Sequence, residues 1–481
     1  MARGKKAAQG LTPEEKLAQA LVPVEEQPYQ IPENWCWVRW GCTGEFIAGS
    51  GFKNQYQGHT EFEIPFYKVG SLKYSDNAGY LYDNSNTVNE EMRKELKAPL
   101  IPTNSIIFAK IGEAIRLNRR SVNMIPCCID NNLMSFVPTV CKYRYVFYWS
   151  QGLDLYKYTN ATTVPAIRKA DLENISFPVA PLLEQQRIVD RIESVFAKLD
   201  EAKEKAQAVV DGFELRKTAI LHKAFTGELT AKWRKEHGVT LDSWQHKKFS
   251  ELCNIVRGGS PRPAGNPEFY DGPIPFMKVA DITQNNSPFV STTEYTIKEA
   301  GLKKTRMVDA NTLLLTNSGA TLGVPAITKI RTTFNDGIAA FLNLKSENLM
   351  FFYYFWTSKT SELRGINKGA AQPNLNTNII GNVEIDLPTE EEQSQIVVAL
   401  DRLISEEEQA KEAAESVLNQ IDTMKKAVLA RAFRGELGTN DPTEERDRKS
   451  TRLNSKSPLI ISYAVFCLKK KKTKKKKKKK N

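Results

Sequence analysis

The sequence predicts an α+β chain. Two tandem domains of mixed α/β structure are each followed by a long helix, and the two helices pair as an antiparallel coiled coil with pseudo-twofold symmetry. Two observations carry this expectation: an ordered internal repeat, and a heptad stripe that returns in each copy of it.

The repeat has three ordered members. Ile64-Pro65-Phe66-Tyr67-Lys68-Val69 returns as Ile274-Pro275-Phe276-Met277-Lys278-Val279, at an offset of 210. Glu184-Gln185-Gln186-Arg187-Ile188-Val189 returns as Glu392-Gln393-Ser394-Gln395-Ile396-Val397, at 208. Lys223-Ala224-Phe225-Thr226-Gly227-Glu228-Leu229 returns as Arg431-Ala432-Phe433-Arg434-Gly435-Glu436-Leu437, also at 208. The copies divide the chain into an extension (1–30), a first mixed domain (31–180), a first helix (181–229), a connector (230–243), a second mixed domain (244–388), a second helix (389–437) and a basic tail (438–481).

Within each mixed domain, short β-like runs such as Ser105 to Ala109 and Thr312 to Thr316 lie between turns rich in Gly, Pro and Asn. The aromatic runs Tyr143 to Trp149 and Leu349 to Trp356 belong in a core. Periodicity leaves helix or strand open for both. In the first helix, positions 188, 192, 195, 199, 202, 206, 209, 213, 216 and 220 are apolar except Arg216. The same positions plus 208 run from Ile396 to Val428 and are apolar except Glu407. This is a heptad seam, and 33 residues of helix rise about 50 Å. Neither stripe is stable exposed, and each repeat's helix is the natural partner of the other.

Composition excludes several classes. Of 481 residues, 41 % are hydrophobic, which fits a folded chain rather than a disordered one. The longest apolar run, Leu459 to Leu468, is broken by Ser462, so no membrane span is expected. The opening Met-Ala-Arg-Gly-Lys-Lys lacks an apolar stretch behind it, and the seven cysteines lack framework spacing, so a reducing cytoplasm is expected. The net charge of +12 misleads. Fifteen of the 68 basic residues and none of the 56 acidic ones lie from Arg448 onward, leaving 53 against 56 (net −3) on residues 1–447. The lysine runs of the tail cannot pack and are left out of the fold.

On these residues the chain resembles the specificity subunit of a type I restriction-modification system. The resemblance rests on Pro181 to Val189 and its echo Pro388 to Val397. It rests also on Leu221 to Leu229 and its echo 429–437, and on the lead-in Ile31-Pro32-Glu33-Asn34-Trp35. It covers about 12–437. It implies that 31–180 and 244–388 are target recognition domains, each reading one half of a split double-stranded DNA target, and that the helices are spacers fixing the gap. It implies as partners two methyltransferase (modification) subunits and two restriction (motor-nuclease) subunits. Adenine methylation would be done by those partners, with S-adenosylmethionine, ATP and Mg held on them and no cofactor here. A body charge near −3 suits a subunit whose non-specific grip comes largely from its partners.

DNA-contact candidates are polar loop residues between β-like runs. In the first domain they are Lys53, Asn54, Gln55, Tyr56, Lys68, Lys73, Lys110, Arg116, Asn118, Arg119 and Arg120. The 116–120 cluster is the densest local basic patch, and an ordinary solvated loop is its competing reading. In the second domain they are Arg257, Arg262, Lys278, Asn317, Ser318, Lys368, Gln372 and Asn374. Arg257 and Arg262 flank a turn where Gly258 and Gly259 permit close backbone approach, and a purely structural turn competes there. Asp130-Asn131-Asn132 and Asn335-Asp336-Gly337 repeat at an offset of 205 and read as loop-holding groups. Partner-binding candidates are Glu184, Gln185, Gln186, Arg187, Glu392, Gln393 and Gln395, at the helix starts, where an acid also suits the helix dipole. Phe225 and Phe433 are expected to bury at the helix ends, closed by glycine.

No catalytic or metal-binding set emerges. Asn266-Pro267-Glu268-Phe269 departs at its third position from the Asn/Asp-Pro-Pro-Tyr/Phe motif of adenine methyltransferases. No Gly-x-x-x-x-Gly-Lys-Ser/Thr loop is present, and the histidines and cysteines lack zinc spacing. The expectation is a non-catalytic DNA-recognition subunit. A coiled-coil scaffold and a fused restriction-modification enzyme are the alternatives.

Overall fold

The computed structural model describes residues 19–160, 164–366 and 374–444. The first 18 residues of the extension, the candidates Lys368 and Gln372, and the tail from 445 lie outside the described residues. The chain divides into two units: residues up to 204 with those from 418, and residues 205–417. Each unit therefore holds one mixed domain, the opening half of one long helix and the closing half of the other.

In the first unit, Cys36–Arg39 pairs antiparallel with Ser176–Val179, tying the start of the domain to its end. Between them lies a five-stranded sheet in the order Gly44–Ala48, Leu133–Pro138, Ile106–Ala109, Arg120–Asn123, Tyr80–Leu81. A three-stranded sheet runs Thr87–Val88, Ile64–Tyr67, Cys128–Ile129. Every residue of Ile106–Ala109 is buried, because the strand is central and covered on both faces. The second unit repeats the plan. Gln245–Lys248 pairs with Glu384–Leu387. A five-stranded sheet follows the order Asn254–Arg257, Ile338–Leu342, Thr312–Thr316, Pro325–Thr328, Phe289–Val290. The smaller sheet has four strands: Tyr295–Ile297, Tyr270–Met277, Thr332–Phe334, Arg306–Val308.

Both aromatic runs are helices, Tyr143–Gln151 and Leu349–Ile366. Their rings fill the cores. Trp40 meets Phe46, Phe136 and Trp149 at 4.8, 4.9 and 4.9 Å between centroids. Phe249 meets Trp356 at 4.7 Å and Phe341 at 5.1 Å. Such edge and tilted contacts add specificity to the large area each ring buries.

The long helices pack together, antiparallel within each unit. In the first unit Asp200 pairs with Lys425 at 2.5 Å; in the second, Arg216 pairs with Glu407 at 2.6 Å. The two residues that break the heptad pattern are thus each other's partners. The first helix is not continuous as expected: it runs Leu182–Asp211, breaks at Gly212, and resumes as Phe213–Phe225. A side chain at Gly212 would put its Cβ 2.5 Å from Arg216 Nη1, so the glycine leaves room for that guanidinium to reach Glu407.

The second helix is unbroken over Glu390–Ala432, but its seam differs from the expected one. Ala410, Val417 and Met424 are exposed, while their neighbours Lys411, Leu418 and Lys425 turn inward. The lysine stems lie on aromatic faces, Lys411 over Phe213 at 4.8 Å and Lys425 over Phe196 at 5.1 Å. All ten expected seam positions of the first helix are buried or half-buried.

Each helix end docks on the mixed domain of its own unit, which is the domain of the other repeat. Phe433 meets Tyr145 at 5.1 Å, and half-buried Phe225 meets Phe351 at 5.4 Å and Phe355 at 5.5 Å. Gly227 and Gly435 follow with φ of 79° and 77°, the left-handed turn that closes a helix. The tail boundary set at 438 is too early. Asn440 donates to Asn34 at 2.8 Å and Glu444 holds Arg187 through two bonds of 2.6 and 2.7 Å, so 438–444 belongs to the folded unit.

Candidate nucleic-acid interface

The same hub is built in both domains. In the first it is the turn 129–132, between two strands of different sheets. Ser50 N–H donates to the Ile129 carbonyl at 3.1 Å, Asp130 N–H to Tyr67 at 2.9 Å, and Lys110 N–H to Asn132 at 2.9 Å. In the second it is 334–337. Gly259 N–H donates to Phe334 at 3.1 Å, Asn335 N–H to Met277 at 3.0 Å, and Asn317 N–H to Gly337 at 2.9 Å. One short turn thus fastens three loops in each domain. The polar residues repeated at offset 205 hold it: Asp130 Oδ1 accepts from Asn132 N–H at 3.0 Å, and Asp336 Oδ1 from Ser260 Oγ at 2.6 Å.

This hub gathers candidates from distant parts of the sequence. Lys68 and Lys278 directly follow the strands that reach the turn, and Lys110 and Asn317 end the central strands beside it. Ser318 bridges to Asn374, which brings that residue in as well. Arg257 Nε donates to the Asp336 carbonyl at 2.5 Å, and Arg262 stands 3.8 Å from the Asp336 carboxylate. Lys110 is half-buried, and burial holds its ammonium below the usual lysine range against the opposing pull of Asp130. Asn317 is fully buried, and neither atom of its amide has a hydrogen-bond partner among the described residues. The close approach expected at Gly258 is real but points inward: a Cβ there would lie 2.2 Å from the Asn335 carbonyl oxygen.

Other candidates are held within the chain. Lys53 and Tyr56 both bond Glu95, the lysine at 3.0 Å. Asn54 accepts from Gln57 at 3.2 Å, Gln55 is exposed, and exposed Lys73 lies 4.6 Å from the Tyr74 ring centroid. The 116–120 cluster fastens a neighbouring segment. Arg116 stacks 3.7 Å over Tyr156 and pairs with Glu113 at 2.7 Å. Asn118 bonds Leu153 and Leu155 at 2.8 and 3.1 Å. Arg120 is buried and donates to the Leu153 carbonyl at 2.7 Å, which corrects its assignment as a DNA contact. Arg119 is exposed, and no carboxylate pairs with it among the described residues. The sequence reading missed Lys303, Lys304 and Arg306, three exposed bases within four residues beside the second hub. Their spacing was visible in the sequence; their proximity to Gly259 was not.

Four expected partner-binding side chains face the protein interior instead. Glu184 accepts from Trp35 Nε1 at 2.7 Å and from Asn440 at 2.9 Å. Glu392 accepts from Trp244 Nε1 at 2.8 Å and Thr230 Oγ1 at 2.6 Å, and pairs with Arg234. Gln185 accepts from Lys142 N–H and donates to the Ala180 carbonyl, both at 2.9 Å. Gln393 donates to Pro388 at 2.9 Å and accepts from Ser346 at 3.2 Å. Both amides are buried and bonded inside their own unit through oxygen and nitrogen, so neither is presented to a partner. Gln186 and Gln395 remain on the surface. Burial holds the Glu184 carboxyl above its usual range, opposed by the Trp35 and Asn440 bonds.

Nucleophile and metal chemistry have little to work with. Burial pushes the Cys128 and Cys253 thiols up to about 12, far from the thiolate that reacts. Among the described residues, no three His, Cys, Asp or Glu side chains are placed to hold a metal ion, and no helix is long and apolar enough to cross a membrane.

Residues 44–210 and 242–416 each match the type I restriction modification DNA specificity domain. The chain belongs to this family. The two matches cover the first mixed domain from residue 44 and the whole of the second, and run into the helices that follow them. Among curated relatives, the type I restriction enzyme EcoBI specificity subunit of Escherichia coli is 26 % identical over 308 residues, 60 % of this chain and 64 % of that one. The EcoKI specificity subunit of E. coli strain K12 is 22 % identical over 298 residues, 58 % of this chain and 62 % of that one. The match thus spans somewhat under two thirds of these relatives. The crystal structure of the HsdS subunit from Thermoanaerobacter tengcongensis superposes with a TM-score of 0.62 at 19 % identity, covering 86 % of this chain and 100 % of that one, which shows a shared fold.

Proposed function

We propose that this chain is the DNA-specificity subunit of a type I restriction-modification complex. It reads a bipartite duplex target, one half with each mixed domain, and directs adenine methylation and restriction carried out by partner subunits. The observation that carries this reading is the duplicated hub. The backbone frame is the same in both domains, yet the side chains on it differ: Lys110 and Asp130 stand where Asn317 and Asn335 stand in the second. A constant frame with divergent polar groups is what two dissimilar half-sites require, because bases are distinguished by donor and acceptor pattern. In this reading the paired helices are the spacer that sets the gap between the two half-sites on the DNA.

In this reading the chain itself is not an enzyme and binds no cofactor. S-adenosylmethionine, ATP and Mg belong to two modification and two restriction subunits, and the complex works in the cytoplasm. Methylation mapping in cells expressing this chain with its modification subunit, against a deletion control, tests it. One bipartite adenine-methylated motif that disappears in the deletion is the expected result. No new motif from an assembled complex would overturn it in favour of a scaffold. Methylation by the purified chain alone would make it a fused enzyme.

A further inference from the structure

We infer that Lys303, Lys304 and Arg306 form a phosphate-binding edge on the second domain that the first domain lacks, so that the DNA backbone is gripped unequally at the two half-sites. This rests on the DNA-recognition reading above and goes beyond it by naming the contact. The segment is placed by one atom. The Phe334 carbonyl of the hub accepts from Thr305 Oγ1 at 2.8 Å and from Gly259 N–H at 3.1 Å. Arg306 pairs with Phe334 in the antiparallel ladder. The basic segment and the Arg257–Arg262 loop are therefore stapled side by side, and a Cβ at Gly259 would meet the Lys304 carbonyl at 2.4 Å.

The charge there is uncompensated. Lys303, Lys304 and Arg306 are exposed and none pairs with a carboxylate among the described residues. The nearest acid on the hub, Asp336, already accepts from Ser260 at 2.6 Å and faces Arg262 at 3.8 Å. The corresponding stretch of the first domain cancels its own charge. Lys94 lies 3.6 Å from Glu90, and Glu95 takes Lys53 at 3.0 Å together with Tyr56. A basic edge with no carboxylate partner among the described residues, beside a loop carrying a further exposed arginine, suits a regularly spaced polyanion. Duplex DNA presents one through its phosphates, and each phosphate neutralised steepens the salt dependence of binding by about 0.9 in log–log slope.

The test uses the assembled complex of full-length chain and modification subunit. Fluorescence anisotropy would be measured from 50 to 300 mM NaCl on a duplex carrying the mapped target and on a scrambled duplex of equal length. For Lys303→Ala/Lys304→Ala/Arg306→Ala the expected result is a slope shallower by about 2 to 3 on both duplexes, with equal loss of affinity on each. Lys94→Ala/Lys97→Ala in the first domain should change the slope by less than about 1. An unchanged slope in a triple variant with unaltered melting temperature would overturn the inference, as would a loss confined to the target duplex. If the wild-type complex does not prefer the target, the recognition reading fails, and the slope on the scrambled duplex still decides whether the edge binds phosphate.

Discussion

Trp35 donates its indole N–H to Glu184 at 2.7 Å, and 209 residues later Trp244 donates to Glu392 at 2.8 Å. In each unit the residue that leads into the domain is tied to the residue that opens the helix leaving it. The surroundings differ in one respect. Glu392 is paired with Arg234, which is itself 90 % covered, whereas among the described residues no base bonds Glu184 directly. Removing one partner of a buried pair strands the other charge, which costs about 3–5 kcal/mol. Removing a buried acceptor without a stranded charge costs about 1–3 kcal/mol. Glu392→Ala should therefore lower the unfolding midpoint more than Glu184→Ala. Thermal or urea unfolding of the two variants checks the order, and the reverse order would deny Arg234 its dependence on Glu392.

The same contrast predicts a pH effect. The Glu184 carboxyl is held above its usual value, chiefly by burial. A raised acid binds its proton more tightly folded than unfolded, so its contribution is fully present below the ordinary glutamic value and is lost as pH rises through the raised one. Glu184→Gln keeps an acceptor for Trp35 and removes the titration. The wild-type chain should lose stability relative to Glu184→Gln as pH climbs from about 4 toward neutrality. Melting temperatures of both across that range would show it, and a difference that does not change with pH would refute it.

Arg216 and Glu407 give a third test. The pair is short, at 2.6 Å, but its side chains keep 37 % and 24 % exposure, so water screens it. Its coupling should be only about 0.5–1 kcal/mol in a double-mutant cycle. The exchange Arg216→Glu/Glu407→Arg should recover part of what either reversal loses. Arg216 also donates to the Val209 carbonyl at 2.8 Å, and the exchange cannot restore that bond. A coupling of zero would mean that the two seam defects are merely adjacent.

Repetition made the architecture legible. Three echoed segments were enough to expect two like domains and two helices, and the hub residues 130–132 and 335–337 stood out by their offset. What stayed hidden depended on chemistry that a hydrophobic count ignores. Lys411 and Lys425 bury aliphatic stems on Phe213 and Phe196, so at three of its ten positions (410, 417 and 424) the second seam runs one residue from where apolar residues alone would put it. Glu184 and Glu392 read as surface helix-start acids because the tryptophans that bury them lie about 150 residues away. The seam makes its own prediction. Val417→Glu, on an exposed position, should change stability by no more than about 0.5 kcal/mol, and Leu418→Glu should cost well over about 1 kcal/mol. Equal effects in urea unfolding would restore the sequence-based register.

The hub offers the sharpest single substitution. At Gly258 an added Cβ would sit 2.2 Å from the Asn335 oxygen and 2.4 Å from the Phe334 oxygen. At Gly49 it would sit 2.0 Å from the Asp130 oxygen and 2.4 Å from the Ile129 oxygen. These are backbone atoms of the turn itself, which no side-chain rotation can clear. Gly258→Ala must push the 334–337 turn away from the Arg257–Arg262 loop, and that strain should cost more than about 2 kcal/mol. Gly51→Ala, with nothing within 4 Å of its Cβ, should be near neutral. Hydrogen exchange at Gly259, whose N–H is bonded to Phe334 at 3.1 Å, should quicken in Gly258→Ala while exchange in the 349–366 helix stays slow. A protected Gly259 amide in that variant would mean that the turn yields without releasing the loop. The loop's position would then not depend on the glycine that both domains share.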